Sequence, residues 1–143
     1  HLSIDSRTMK GNDLFVPLIG EKVDAHRFIE QAFGAGAVAV LTSEHDTAED
    51  AEHAWIRVAD TKKALQDIGR YYRSRLSLPL VGITGSVGKT TTREMVAAAL
   101  SAGFLVYKTP GNSNSQVGVP ITVAEIPEKF FHEVDHFLPV TLF

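Results

Sequence analysis

The sequence predicts an α/β fold with a mainly parallel sheet in its second half. Three observations carry this. Short apolar runs, such as Ala37 to Leu41 and Phe104 to Tyr107, alternate with stretches of helical period. A glycine-rich turn joins the apolar run Leu80 to Ile83 to one of those helical stretches. The segment Ser77 to Pro79 breaks the chain between two alternating halves. Strand–helix alternation is the order that crossover units need, and crossover units build parallel sheets.

Along the chain, Leu2 to Ile4 is a short apolar stub leading into Asp5-Ser6-Arg7. Asp13 to Ile19 reads as a strand, and Gly20 to Asp24 as a turn. His26 to Phe33 reads as a helix, with Phe28, Ile29, Ala32 and Phe33 on one stripe and Gly34 and Gly36 as its stop. His26 itself reads as a surface or capping residue. The unbroken apolar run Ala37 to Leu41 predicts a buried strand. Ser43 to Glu52 is polar and acidic, a solvated loop or short helix, and Trp55 to Val58 is another short strand. Asp60 or Thr61 can cap a helix running to about Leu76. Its apolar stripe is Ala64, Leu65, Ile68, Tyr72 and Leu76, while Lys62, Lys63, Arg70, Arg73 and Arg75 form a solvated face. Trp55 and the pair Tyr71-Tyr72 read as packing residues.

Pro79 marks a break, and the domain boundary falls there, giving domains 1–78 and 79–143. In the second, Arg93 to Leu100 reads as a helix with Val96, Ala99 and Leu100 on one face. Phe104 to Tyr107 is a strand, Thr109 to Gln116 a polar loop, and Val117 to Ala124 a short apolar element. The pattern is lost after Ile126. Two strands are few for a sheet that must cover its helices, so this domain reads as truncated. The chain begins at His1 and not at methionine, which reads as a fragment or processed product.

The residues with the most chemistry are Val81-Gly82-Ile83-Thr84-Gly85-Ser86-Val87-Gly88-Lys89-Thr90-Thr91-Thr92. Glycines let main chain wrap an anion closely. A following helix offers its unpaired N-terminal amides and positive dipole end to the same anion. The predicted phosphate-binding residues are Gly85, Ser86, Val87, Gly88, Lys89, Thr90 and Thr91. Lys89 would reach the terminal phosphates, and the Thr90 hydroxyl would face Mg²⁺. Those two are the catalytic candidates, and ATP or GTP is the implied ligand. The strict motif has glycine four residues before the Gly-Lys pair, where this chain has Ile83, but the core Gly85-x-x-Gly88-Lys89-Thr90 is intact. The structural alternative is a glycine turn that binds nothing.

Bulk composition narrows the classes. At 44% hydrophobic and 22% charged residues over 143, the chain is an ordinary globular sequence. A net charge of −3 argues against a nonspecific nucleic-acid or anionic-membrane surface. With no cysteine there is no disulfide and no thiolate metal site, which fits a cytoplasmic protein. No apolar run is long enough to span a bilayer and no signal peptide is visible.

Several motifs in one order resemble the Mur ligase family. They are Asp5-Ser6-Arg7, then Gly11-Asn12-Asp13-Leu14-Phe15-Val16, then Gly20-Glu21 with Asp24-Ala25-His26-Arg27-Phe28-Ile29. Asp60-Thr61-Lys62-Lys63-Ala64-Leu65 and the phosphate loop follow. The most discriminating piece is Gly111-Asn112-Ser113-Asn114-Ser115-Gln116-Val117-Gly118-Val119-Pro120, which looks like the loop of the D-alanyl-D-alanine-adding branch. The likeness covers roughly residues 2 to 126.

The resemblance implies a small α/β UDP-substrate-binding domain followed by the first part of a P-loop ATP domain. It implies a cytoplasmic ligase of peptidoglycan precursor synthesis that uses ATP and Mg²⁺. The substrates would be UDP-N-acetylmuramoyl-tripeptide and D-alanyl-D-alanine, joined through an acyl phosphate. By the same analogy Ser6 and Arg7 lie near the uridine diphosphate, and Asn112 and Asn114 donate amide hydrogens to substrate. On residue chemistry alone, Asp5 and Ser6 cap a turn beside a solvated Arg7, and the asparagines serve a turn. Ala25 stands where the family has glycine, and Ser115 where the D-alanyl-D-alanine-adding branch has asparagine. The family continues past Ile126 into a strand ending in a Mg²⁺-binding glutamate; none can be placed here, since Glu133 comes too early.

Two other classes stay open. A fragment of this kind could be a non-catalytic module that binds UDP-muramoyl peptide or nucleotide. And His132-Glu133-Val134-Asp135-His136 matches the H-E-x-x-H pattern of zinc hydrolases, though no His, Asp or Glu follows His136 to complete a ligand set.

Overall fold

The computed structural model describes residues 1–45, 52–110, 115–127, 130 and 138–142. The chain divides into two compact units, His1–Ile68 and Gly69–Phe143, with the division inside one helix.

The first unit is built on four parallel strands: β1 (Leu2–Ser3), β2 (Asp13–Phe15), β3 (Ala37–Thr42) and β4 (Ala54–Arg57). They lie side by side in chain order. The crossover from β2 to β3 is a 3-10 turn, Ala25–Phe28, running into α1 (Ile29–Gly34). Phe15, Ile29, Ala32, Ala37 and Val40 form the core, with Phe28, Phe33 and Trp55 packed against it. Burying a side chain such as Phe15 or Val40 stabilises by about 1.5–3 kcal/mol.

Three details differ from the sequence expectation. The stub at Leu2 is a true strand, with Leu2 opposite Leu14. The strand expected over Asp13 to Ile19 stops at Phe15, because Pro17 supplies no N–H to a ladder; Pro17 is instead fully buried. His26 is not a surface residue but is buried. Its Nδ1 lies 2.6 Å from Asp24 Oδ1, and the Ser43 amide donates to its Nε2 at 3.1 Å. A nitrogen that accepts cannot carry the proton, so Nδ1–H faces Asp24. The ring thereby ties the start of the helical crossover to the chain leaving β3.

The helix α2 (Thr61–Arg75) contains the division between the units. Asp60 caps it, its Oδ1 accepting from the Lys63 amide at 2.9 Å. Thr61, Leu65 and Gly69 are buried along it, whereas Tyr72, expected in the stripe, is 38% exposed and meets Tyr71 edge-on.

The second unit holds β5 (Leu80–Val81), α3 (Lys89–Leu100), β6 (Phe104–Lys108), α4 (Gly118–Ala124) and β7 (Leu138–Leu142). Its sheet is parallel with the order β5-β7-β6. The segment after Ile126, where the sequence pattern fades, thus supplies the central strand. Leu76, Leu78, Val123, Ile126 and Phe130 form the core here, with Leu80, Leu105 and Tyr107 beside them. Gly69 of α2 meets α4 so closely that a Cβ would fall 2.7 Å from Pro120 Cα. Among the described residues no helix is long and apolar enough to cross a membrane.

Candidate phosphate-binding site

Strand register fixes where the site lies. Val81 and Lys108 both stand opposite Leu142, so β5, β7 and β6 end in one row. The turn after Val81 and the chain after Lys108 therefore leave the same carboxyl edge of the sheet. Ligands of open α/β sheets bind outside that edge.

The turn itself has the backbone an anion cradle needs. Gly85 has φ 153° and Gly88 has φ 79°, conformations that a side chain disfavours. Gly88 is the N-cap of α3 and no side chain caps it. The first helical bond runs from the Thr92 amide to Gly88 at 2.9 Å, which leaves the amides of Lys89, Thr90 and Thr91 without helical partners. No acidic residue sits in the first turn to compete for them. Residues 84–88 and 90–92 are exposed, with Val87 standing 90% in solvent. The ammonium of Lys89 donates to the Gly85 carbonyl at 2.6 Å and so arches over the turn. The helix began four residues earlier than expected from Arg93, and its buried residue is Ala97, with Ala99 exposed.

The residues Gly85, Ser86, Val87, Gly88, Lys89, Thr90 and Thr91 thus stand together in one turn and helix start. Ser6 and Arg7 stand together in the first unit. There Asp5 closes a turn: its Oδ1 accepts from the Arg7 amide at 3.0 Å and from Arg7 Nε at 2.9 Å, and Nη2 donates to Oδ2 at 2.7 Å. Arg7's side-chain hydrogen bond, then its amide, hold the Asp5 carboxyl down at about 2. Ser6 is buried in the turn, and the Arg7 side chain is 79% exposed. Asn112, Asn114, His132, Glu133 and His136 lie outside the described residues. Among the described residues, no three His, Asp or Glu side chains gather to hold a metal.

Sequence reasoning missed Arg93 and Glu94. Arg93 Nη1 donates to the Thr109 carbonyl at 2.9 Å, and Glu94 Oε2 accepts from Lys108 Nζ at 2.6 Å. Lys108, first among its neighbours, holds the Glu94 carboxyl below its ordinary range. The signal was present: Arg93 is one helical turn from Lys89.

A second constellation imitates chemistry without supporting it. Asp24, His26 and Ser43 have the order of a hydrolase triad, with Ser43 Oγ 3.3 Å from Nε2. The Ser43 amide is nearer, at 3.1 Å, and occupies the lone pair that a general base would need.

The fold is α/β, with a parallel sheet and a glycine turn leading into a helix at its carboxyl edge. The chain belongs to the Mur ligase family: residues 1–73 match its catalytic-domain model and residues 83–137 its middle-domain model. It is 43% identical over 127 residues to the UDP-N-acetylmuramoyl-tripeptide--D-alanyl-D-alanine ligase of Bacillus subtilis, covering 89% of this chain and 28% of that protein. The crystal structure of MurF from Acinetobacter baumannii superposes with a TM-score of 0.80 at 34% identity, over 99% of this chain and 29% of the other. MurF ligase from Thermotoga maritima, solved in complex with ADP, gives a TM-score of 0.74 at 28% identity, over 99% and 31%. The chain spans less than a third of the length of these relatives.

Proposed function

We propose that this chain is the UDP-substrate domain, 1–78, and the first part of the P-loop ATP domain, 79–143, of a D-alanyl-D-alanine-adding Mur ligase. The observation that carries the proposal is the Gly85-to-Thr91 turn, arched by Lys89 at the carboxyl edge of a parallel sheet. The names of the similar ligases, and the ADP held by one of them, support the choice of ATP and of the substrates. The reaction would be cytoplasmic, on a peptidoglycan precursor.

The chemistry follows from the residues. The tripeptide carboxylate of the UDP-muramoyl substrate is a poor electrophile. Its oxygen attacks the γ-phosphorus of ATP, ADP leaves, and an acyl phosphate forms. The amine of D-alanyl-D-alanine then attacks the carbonyl, loses a proton, and inorganic phosphate leaves as the amide bond closes. The amides of Gly85 to Thr91 hold the polyphosphate in line, and Lys89 offsets charge on the transferred group. Ser6 and Arg7 grip the uridine diphosphate end; Asn112 and Asn114 orient the substrate peptide.

The turn fits a polyphosphate, since a Cβ at Gly88 would meet open space and no side chain caps the first-turn amides. Mg²⁺ fits more narrowly. The Thr90 hydroxyl is the ligand the turn would offer it, and β7, reading Leu-Pro-Val-Thr-Leu, carries no carboxylate. Mg²⁺ keeps waters and takes phosphate oxygens, so a single hydroxyl suffices to seat it against bound phosphates, where it would neutralise phosphate charge. Calorimetric titration with UDP-N-acetylmuramoyl-tripeptide, and separately with Mg·AMP-PNP, tests the proposal. Saturable binding of each is expected; a chain that binds neither would refute it.

A further inference from the structure

Arg93 sits one turn behind Lys89 on the same face of α3. Its guanidinium reaches across the sheet edge, where Nη1 donates to the Thr109 carbonyl at 2.9 Å. Thr109 is the first residue past β6 and is buried. The next residues on each element repeat the tie: Lys108 Nζ donates to Glu94 Oε2 at 2.6 Å, and Glu94 Oε1 lies 3.5 Å from Arg93 Nη2. Arg93-Glu94 on the helix therefore grips Lys108-Thr109 at the strand exit. The Arg93 side chain is only 15% exposed, and a charged donor on a carbonyl in such a place holds harder than a surface contact. A turn that merely bound phosphate would not need it, since Arg93 touches the exit of another strand.

We propose that Arg93 is a positioning residue that couples occupation of the phosphate loop to the chain leaving β6 at Thr109. This rests on the phosphate-site reading above. The first turn of α3 has no side-chain cap. A polyphosphate that captures its amides and Lys89 suppresses fraying of that turn. Arg93 hangs from the next turn, so its hold on Thr109 stiffens with it. Thr109 is then held by a nucleoside triphosphate it need not touch. Linkage is reciprocal, so a substrate that orders Thr109 also tightens the nucleotide.

Hydrogen exchange on the 143-residue chain tests this, with Mg·AMP-PNP as the probe. In the wild type the nucleotide slows exchange at Lys108 and Thr109 about fivefold, the equivalent of one net hydrogen bond. In Arg93→Met the nucleotide still binds but that slowing disappears. Arg93→Lys keeps one charged donor and restores part of it. Equal slowing in wild type and Arg93→Met overturns the coupling and leaves the phosphate site standing. A wild type that does not bind Mg·AMP-PNP overturns both. Should Arg93→Met not fold, Arg93→Lys decides: reduced slowing supports the coupling, and wild-type slowing overturns it.

Discussion

The ammonium of Lys89 donates to the carbonyl oxygen of Gly85 at 2.6 Å, four residues back along the chain. That contact shapes the turn and also marks the place where a phosphate would draw the ammonium away. Lys89→Ala is expected to weaken Mg·AMP-PNP binding about 10- to 100-fold, the range for losing a charge-assisted contact. Binding of UDP-N-acetylmuramoyl-tripeptide should be unchanged. Calorimetry on both ligands checks this; unaltered nucleotide affinity would remove Lys89 from the site.

Turnover is a separate matter from binding. The 143-residue chain spans less than a third of its relatives, so most of the residues those ligases bring to the reaction lie outside it. With UDP-N-acetylmuramoyl-tripeptide, D-alanyl-D-alanine and Mg·ATP, it is expected to release no ADP above a blank. A coupled ADP assay measures it, and sustained turnover would contradict the expectation.

The Asp5–Arg7 fork predicts a pH response. Asp5 titrates near 2 in the folded chain against an ordinary 3.8, because Arg7 binds its carboxylate. A depressed carboxyl pKa stabilises the fold above the unfolded value, and that contribution is lost as pH falls through the folded one. The fork's contribution is thus constant above about 4 and is lost between about 4 and 2. Arg7→Ala should return the Asp5 carboxyl toward 3.8, as read by carbon-detected NMR titration; a value still near 2 would assign the shift to another group.

His26 and Ser43 separate a structural from a catalytic role. His26→Ala removes the bond to Asp24 and the acceptor for the Ser43 amide, and is expected to cost about 2–4 kcal/mol. Ser43→Ala keeps the amide donor and should cost less than about 0.5 kcal/mol. Urea melts measure both. Equal losses from the two variants would show that the hydroxyl, not the amide, holds the ring.

Gly69 is a case where two effects oppose. Alanine in a helix gains up to about 1 kcal/mol over glycine. Its Cβ would fall 2.7 Å from Pro120 Cα, a backbone atom that cannot swing aside, and overpacking of this kind costs about 1–3 kcal/mol. The clash wins, so Gly69→Ala should lower the melting temperature. A variant as stable as the wild type would show that α2 and α4 can part without loss.

What the sequence disclosed was what local chemistry decides. The strand at Ala37, the cap at Asp60 and the glycines before Lys89 each carry their own reason and lie where expected, although Val38 of that strand is exposed rather than buried. What stayed hidden depended on distant partners. Pro139 argues against a central strand, since it cannot donate to a ladder. Yet β7 tolerates it, because β5 reaches only Thr141 and Leu142 and leaves Pro139 beside β6 alone. His26 reads as a surface or capping residue because Ser43, whose amide donates to its Nε2, stands 17 residues along the chain and is brought to it by the fold. Arg93 reads from the sequence only as the start of a helix, because its partner Thr109 is brought within reach by β6.

The central claim is that the turn before Lys89 grips a polyphosphate, and a crystal structure with Mg·AMP-PNP tests it most directly. The account predicts density for the β- and γ-phosphates against the amides from Gly85 to Thr90, with the Lys89 ammonium drawn off the Gly85 carbonyl. Nucleotide bound elsewhere, beside an ordered turn with Lys89 still on Gly85, would contradict it.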